Sequence, residues 1–138
     1  MKKNNKKGFT LVELVIVVAV MAVLVAVAIP TVKSITATAK STVADTNART
    51  IESVLKLAEA EKNKNAATAA DLTNDEVATA VKNAKLGIEG YFVYDPVMGT
   101  VEAAAEGVDS AAEVKTGKQL ITLSKSADPT CVAGTSNS

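Results

Sequence analysis

From Leu14 to Ile29 the chain reads LVIVVAVMAVLVAVAI, sixteen residues without a polar side chain. Counted from Phe9 the apolar zone is twenty-one residues, with Thr10 and Glu13 as its only polar members. After Pro30 the pattern changes. Val32, Ile35 and Ala39 recur at helical spacing, followed by Ala44, Ala48, Ile51, Leu55 and Ala58. Read as one apolar stripe, these leave Lys40, Asp45, Arg49, Glu52, Lys56 and Glu59 mostly off it. Asp45 and Arg49, and Glu52 and Lys56, are four apart in the favourable order. No glycine occurs between Phe9 and Asn63, and Pro30 is the one proline there. The pattern predicts a single helix, apolar all round in its first half and amphipathic in its second. Pro30 removes a backbone donor and collides with the carbonyl of Ala26, which predicts a kink there. The alternative is a helix that ends at Ile29 and a second that starts at Pro30.

The remainder alternates short elements with turn signals. Asn63 to Ala70 is polar and alanine-rich and reads as a loop. Thr73 and Glu76 have capping-box spacing and predict a short helix with Val77, Ala80, Val81 and Ala84 on one face and Gly87 as its stop. Tyr91-Phe92-Val93-Tyr94 has the bias of a strand, Asp95-Pro96-Val97-Met98-Gly99 that of a turn, and Thr100 to Ala103 that of the return strand. Ala104 to Gly117 reads as an exposed loop, Gln119 to Ser124 as a third strand, and Ala127 to Ser138 as a tail. The fold class is α+β: a long kinked N-terminal helix packed on a small antiparallel sheet.

Charge decides what the apolar zone is for. The segment before it holds Lys2, Lys3, Lys6 and Lys7 and no acid. A helix from Phe9 to Ile29 spans ~31 Å at ~1.5 Å per residue, close to the ~30 Å core of a bilayer. Its apolar side chains favour insertion by several kcal/mol, against a cost on the order of 3 kcal/mol for a Glu at the helix centre and less near the end, where Glu13 lies. The four lysines hold the N-terminus in the cytoplasm and send the rest outward. A carboxylate inside such a segment needs a partner in its working state, or must snorkel to the headgroups.

Lys6-Lys7-Gly8-Phe9-Thr10-Leu11-Val12-Glu13-Leu14 resembles the N-terminus of a type IV pilin precursor. The match is close through Pro30; beyond it the resemblance is one of architecture. It implies a prepilin peptidase that cuts between Gly8 and Phe9 and N-methylates Phe9. Such a cut frees an α-amino group with an ordinary pKa of ~7.7–8.0. That amine suits Glu13, either from Phe9 of the same chain or from Phe9 of a neighbour; the resemblance favours the neighbour. Glu13 would then select the stagger of subunits in the filament. Many type IV pilins close the C-terminal region with a disulfide. Here Cys131 is the one cysteine, so none can form within the chain, which looks more like pilins of Gram-positive bacteria.

The implied domains are a basic leader (1–8), a transmembrane and filament-core helix (9–30) and a globular head (31–138) that includes the amphipathic half-helix. The implied partners are identical subunits in a helical homopolymer, the peptidase and an assembly platform in the cytoplasmic membrane. The implied route runs from that membrane, head outward, to an extracellular pilus used for adhesion or twitching motility. The rival within the same class is a pseudopilin of type II secretion or DNA uptake. The rival from another class is a secreted binding protein: Lys residues, an apolar run and Ala26-Val27-Ala28 also describe a signal peptide cut after Ala28. That reading leaves Glu13 without a purpose.

Composition narrows the field further. With the leader removed, 11 Lys/Arg face 15 Asp/Glu, a net charge of −4, which argues against a nucleic-acid binder. There is no His, and Cys131 stands apart from any motif. No nucleophile–base pair, phosphate loop or Cys/His zinc site can be composed, so no enzyme, cofactor or metal is expected. Asp71, Asn74, Asp75 and Glu76 lack the spacing of an EF-hand loop, and acids there suit a helix N-terminus.

Overall fold

The computed structural model describes residues 9–64, 66 and 68–137, without the side chains of Pro30 and Thr31. The basic leader and Gly8 therefore lie outside the described residues. The chain forms two compact units, 1–41 and 42–138. One helix, α1 (Leu11–Asn63), contributes to both. It passes position 30 without interruption, so the reading of one long helix holds over that of two.

In the first unit none of the described side chains of α1 is buried. Every described side chain from Leu11 to Lys40 is exposed. Val32 and Ile35 are included, at 60% and 63% exposure. The single apolar stripe drawn from the sequence therefore divides. Its first members face solvent, and burial begins at Ala48, continuing through Ile51 and Leu55.

In the second unit those three side chains pack into a core with Leu72, with Val77 and Val81 of α2 (Asn74–Ala84), and with one face of a sheet. The sheet has four antiparallel strands, β1 (Gly90–Asp95), β2 (Thr100–Ala103), β3 (Gln119–Leu123) and β4 (Thr130–Ala133), in the order β2-β1-β3-β4. Period-two alternation turns Phe92 and Tyr94 of β1 inward, and Phe92 stands opposite Ile121 of β3. Ile51 and Ile121 are fully buried, and each such side chain contributes about 1.5–3 kcal/mol relative to exposure. Leu120 alternates to the other face, where it is buried outside this cluster.

The end of α1 is tied to the start of α2 by polar contacts. Thr73 and Glu76 form the expected capping box: the Thr73 N–H donates to Glu76 Oε2 at 2.8 Å, and the Glu76 N–H donates to Thr73 Oγ1 at 3.4 Å. Lys62 Nζ donates to the same Glu76 oxygen at 2.7 Å and to the Asp71 carbonyl at 2.8 Å. The Asn63 side chain receives the Ala70 N–H at 3.0 Å, which closes the connection. α2 stops earlier than Gly87: Lys85 takes the left-handed conformation at its end, with φ 48°.

The C-terminal residues are not a loose tail. Thr130–Ala133 pairs with β3, and the chain then fastens onto the segment 111–118. The Gly134 N–H donates to the Lys118 carbonyl at 2.8 Å, Thr135 N–H to Ala111 at 2.9 Å and Ser136 N–H to Val114 at 2.9 Å. Thr116 N–H returns a bond to the Ser136 carbonyl at 2.9 Å. The expected loop 104–117 thus carries a short 3-10 turn at Ala111–Glu113 and serves as one side of this clasp. Gly134 is required by proximity rather than by φ. A Cβ there would lie 2.4 Å from the Lys115 carbonyl oxygen and 2.5 Å from that of Val114. Backbone hydrogen bonds and a closely packed glycine, rather than a disulfide, close this region.

Candidate functional site

The candidate site is the first turn of α1 and the apolar segment behind it. A helix N-terminus leaves N–H groups without intrahelical acceptors. Thr10 precedes the helix and Glu13 is its third residue, the spacing of a capping box. The Thr10 N–H and the Thr10 hydroxyl both donate to Glu13 Oε2, each at 2.9 Å. The Glu13 N–H donates back to Thr10 Oγ1 at 3.3 Å. The Leu14 N–H closes the turn on the Thr10 carbonyl at 3.3 Å. Glu13 Oε1 takes no hydrogen bond from the described residues.

Glu13 is singled out by the sequence, and the structure adds Thr10 as its capping partner. The signal was present: Thr-x-x-Glu ahead of an apolar run is a capping box in its own right. Glu13 can therefore hold a local partner without any second chain. In the 138-residue chain the Phe9 nitrogen is a peptide N–H, so the proposed amine exists only after cleavage. Phe9 itself is 89% exposed.

Behind this turn the apolar residues stand in the open. Leu11, Met21, Leu24 and Val27 lie between 58% and 77% exposed. The most apolar stretch of α1 has no side chain buried within the protein, and by length and composition the helix can cross a membrane. So much exposed apolar surface on a soluble chain would be an aggregation hazard, and in lipid or in a bundle it is not.

The other residues weighed in the sequence lie elsewhere. Glu76 is engaged by Lys62 and Thr73, so the acids at the start of α2 serve a helix cap and an ion pair. Among the described residues no three metal-ligating side chains cluster. Cys131 sits half-buried in β4, its Sγ donating to Gln119 Oε1 at 3.3 Å. Burial pushes its thiol up to about 12, the mark of an inert packed cysteine.

Residues 3–29 match the prokaryotic N-terminal methylation motif. No curated protein and no solved structure shows significant similarity to the chain. The matched span covers Lys3, Lys6 and Lys7, the Gly8-Phe9 junction, Glu13 and the apolar stretch to Ile29. The chain therefore carries the type IV prepilin signal. The motif supports a type IV pilin-like or pseudopilin protein. It also implies processing by a prepilin peptidase and an assembly machinery. Motif and apolar helix together fit membrane anchoring before assembly into a surface pilus.

Proposed function

We propose that this chain is the structural subunit, a major pilin, of a type IV pilus. Peptidase cleavage between Gly8 and Phe9 removes the leader with Lys2, Lys3, Lys6 and Lys7, and Phe9 is N-methylated. The mature subunit waits in the cytoplasmic membrane with its N-terminus inside and its head outside. The assembly platform then transfers it into a homopolymer, where the N-terminal helices form the core and the heads the surface. A kink at Pro30 adapts the helix to that core. The polymer serves adhesion or twitching motility, and the chain has no catalytic role.

One observation carries the reading: the segment of α1 within the methylation motif, residues 11–29, is exposed throughout and is apolar except for one carboxylate in its first turn. Glu13 costs insertion energy and contributes nothing to the head. After cleavage its unused Oε1 is available to the amine of a neighbour's Phe9. An ion pair in an apolar bundle is strongly directional, because either charge left alone is costly. It therefore selects one stagger. The stacking of one surface onto a different surface of the next copy does not close, and such contacts generate helical filaments.

The test is electron microscopy of the sheared surface fraction from cells with and without the gene. Abundant fibres that disappear with the gene are expected. Processed protein retained in the membrane without fibres would assign the chain to a pseudopilin instead.

A further inference from the structure

We propose that the head half of α1 carries its own subunit-packing seam, formed by Val43, Thr46, Thr50, Ser53 and Leu57, and that its occupant is a second copy of this chain. The proposal rests on the filament reading above. These positions follow one another by 3, 4, 3 and 4 residues, the spacing that keeps one helix face against a parallel partner. The core-facing residues Ala48, Ile51 and Leu55 occupy a different face of the same helix.

All five seam side chains are exposed, with Val43 at 58% and Leu57 at 63%. None is charged. The three polar members have already spent their donors on their own helix. Thr46 Oγ1 donates to the Thr42 carbonyl at 2.8 Å, Thr50 Oγ1 to Thr46 at 2.9 Å and Ser53 Oγ to Arg49 at 2.9 Å. A hydroxyl bonded in this way needs no new donor contact when covered, so the seam is close to apolar in cost. The head gains nothing from it, since no part of the head covers it.

Charge says what does. Beside the seam runs the row Asp45, Arg49, Glu52, Lys56, alternating in sign at spacings of 4, 3 and 4. Lys56 already pairs with Glu52 within the helix, and Asp45 and Arg49, which form no ion pair with the described residues, are the charges left for a copy. An alternating row is self-complementary. A copy displaced along the axis by about one turn, ~5.4 Å, sets cations against anions. A lipid surface, with headgroups of one sign, offers no such match. The seam also lies on the helix whose apolar segment the proposed function already places against other copies.

Thiol labelling of full-length protein in native fibres tests this. Cys131→Ser removes the background, and Thr50→Cys or Leu57→Cys supplies the probe. Detergent-solubilised subunits should label readily with a membrane-impermeant maleimide. Intact fibres should lose that labelling and regain it on dissociation. Fibres in which both thiols label as fast as in free subunits would overturn the seam and leave the filament reading standing. A wild-type strain without fibres would instead remove the filament reading and the seam with it. Leu57→Asp supplies the second measurement: processed protein at normal level in the membrane with loss of fibres is expected, and normal fibres contradict the seam.

Discussion

Glu13 Oε2 receives the Thr10 N–H and the Thr10 hydroxyl together, each at 2.9 Å. The carboxylate is thus anchored by its own helix before any neighbour arrives, and Oε1 stays available. This separates two roles that a single substitution would confuse. Glu13→Val should leave a processed subunit in the membrane and abolish fibres, because the Phe9 amine then has no acceptor. Thr10→Val removes a hydroxyl but keeps the carboxylate, so fibres should persist. Sheared-fraction yields from the two strains, each without wild-type subunit, make the comparison. If both substitutions abolish fibres equally, the capping box is what assembly needs and the amine pairing is wrong. If Glu13→Val gives normal fibres, the residue only faces headgroups.

The head should fold without the anchor. Among the described residues, those up to Val32 include no buried side chain, and the core contribution of α1 starts at Ala48. A fragment from Lys33 to Ser138 is expected to be soluble, with the helical and strand circular dichroism of the intact head at neutral pH. An unfolded fragment would place part of the head's stability in the anchor.

Gly134 fastens the C-terminal clasp. An added methyl group meets two backbone carbonyls, neither of which is a flexible side-chain end. Gly134→Ala should cost about 1–3 kcal/mol, as overpacking does. In a domain of about 100 residues each kcal/mol corresponds to roughly 4–8 °C in Tm. Thermal denaturation of the head fragment reads this directly, and an unchanged Tm would show that the clasp yields without cost.

These elements show what a sequence alone can and cannot reveal. The long helix, the Thr73–Glu76 cap and the first three strands were legible because each rests on local spacing or turn chemistry. β4 was not: TCVA is short, and Thr130 and Cys131 carry little strand signal without the β3 edge beside them. The clasp was also hidden, because Gly134 is needed for a contact twenty residues away rather than for its own φ. Val32 and Ile35 were drawn into the core stripe because a few residues at helical spacing fit more than one face. At the site, Glu13 stood out as a lone charge, while Thr10 passed as one more residue of a motif.

Acid should loosen the junction between α1 and α2. Lys62 first, then the Thr73 N–H and hydroxyl, hold the Glu76 carboxyl down to about 2. A depressed carboxyl contributes stability above its unfolded pKa of ~4.3 and loses it as pH falls toward the folded value. Glu52, held low chiefly by Lys56, and Asp95, held low chiefly by the Met98 N–H, act in the same direction. Comparison with Glu76→Gln isolates one group. The Tm difference between wild type and variant should be widest at neutral pH and close as pH drops toward 2. A difference constant over that range would show that Glu76 ionisation is not coupled to folding.

On the proposed reading, residues 1–8 are a leader and the working subunit begins at Phe9. Intact-mass analysis and N-terminal sequencing of the native protein test it most directly. The expected product starts at Phe9 and carries one methyl group on its α-amine, and Gly8 replaced by a bulky residue should leave the full precursor in the membrane. A mature chain beginning at Ile29 would contradict the account and establish a secreted protein whose signal peptide ends at Ala28.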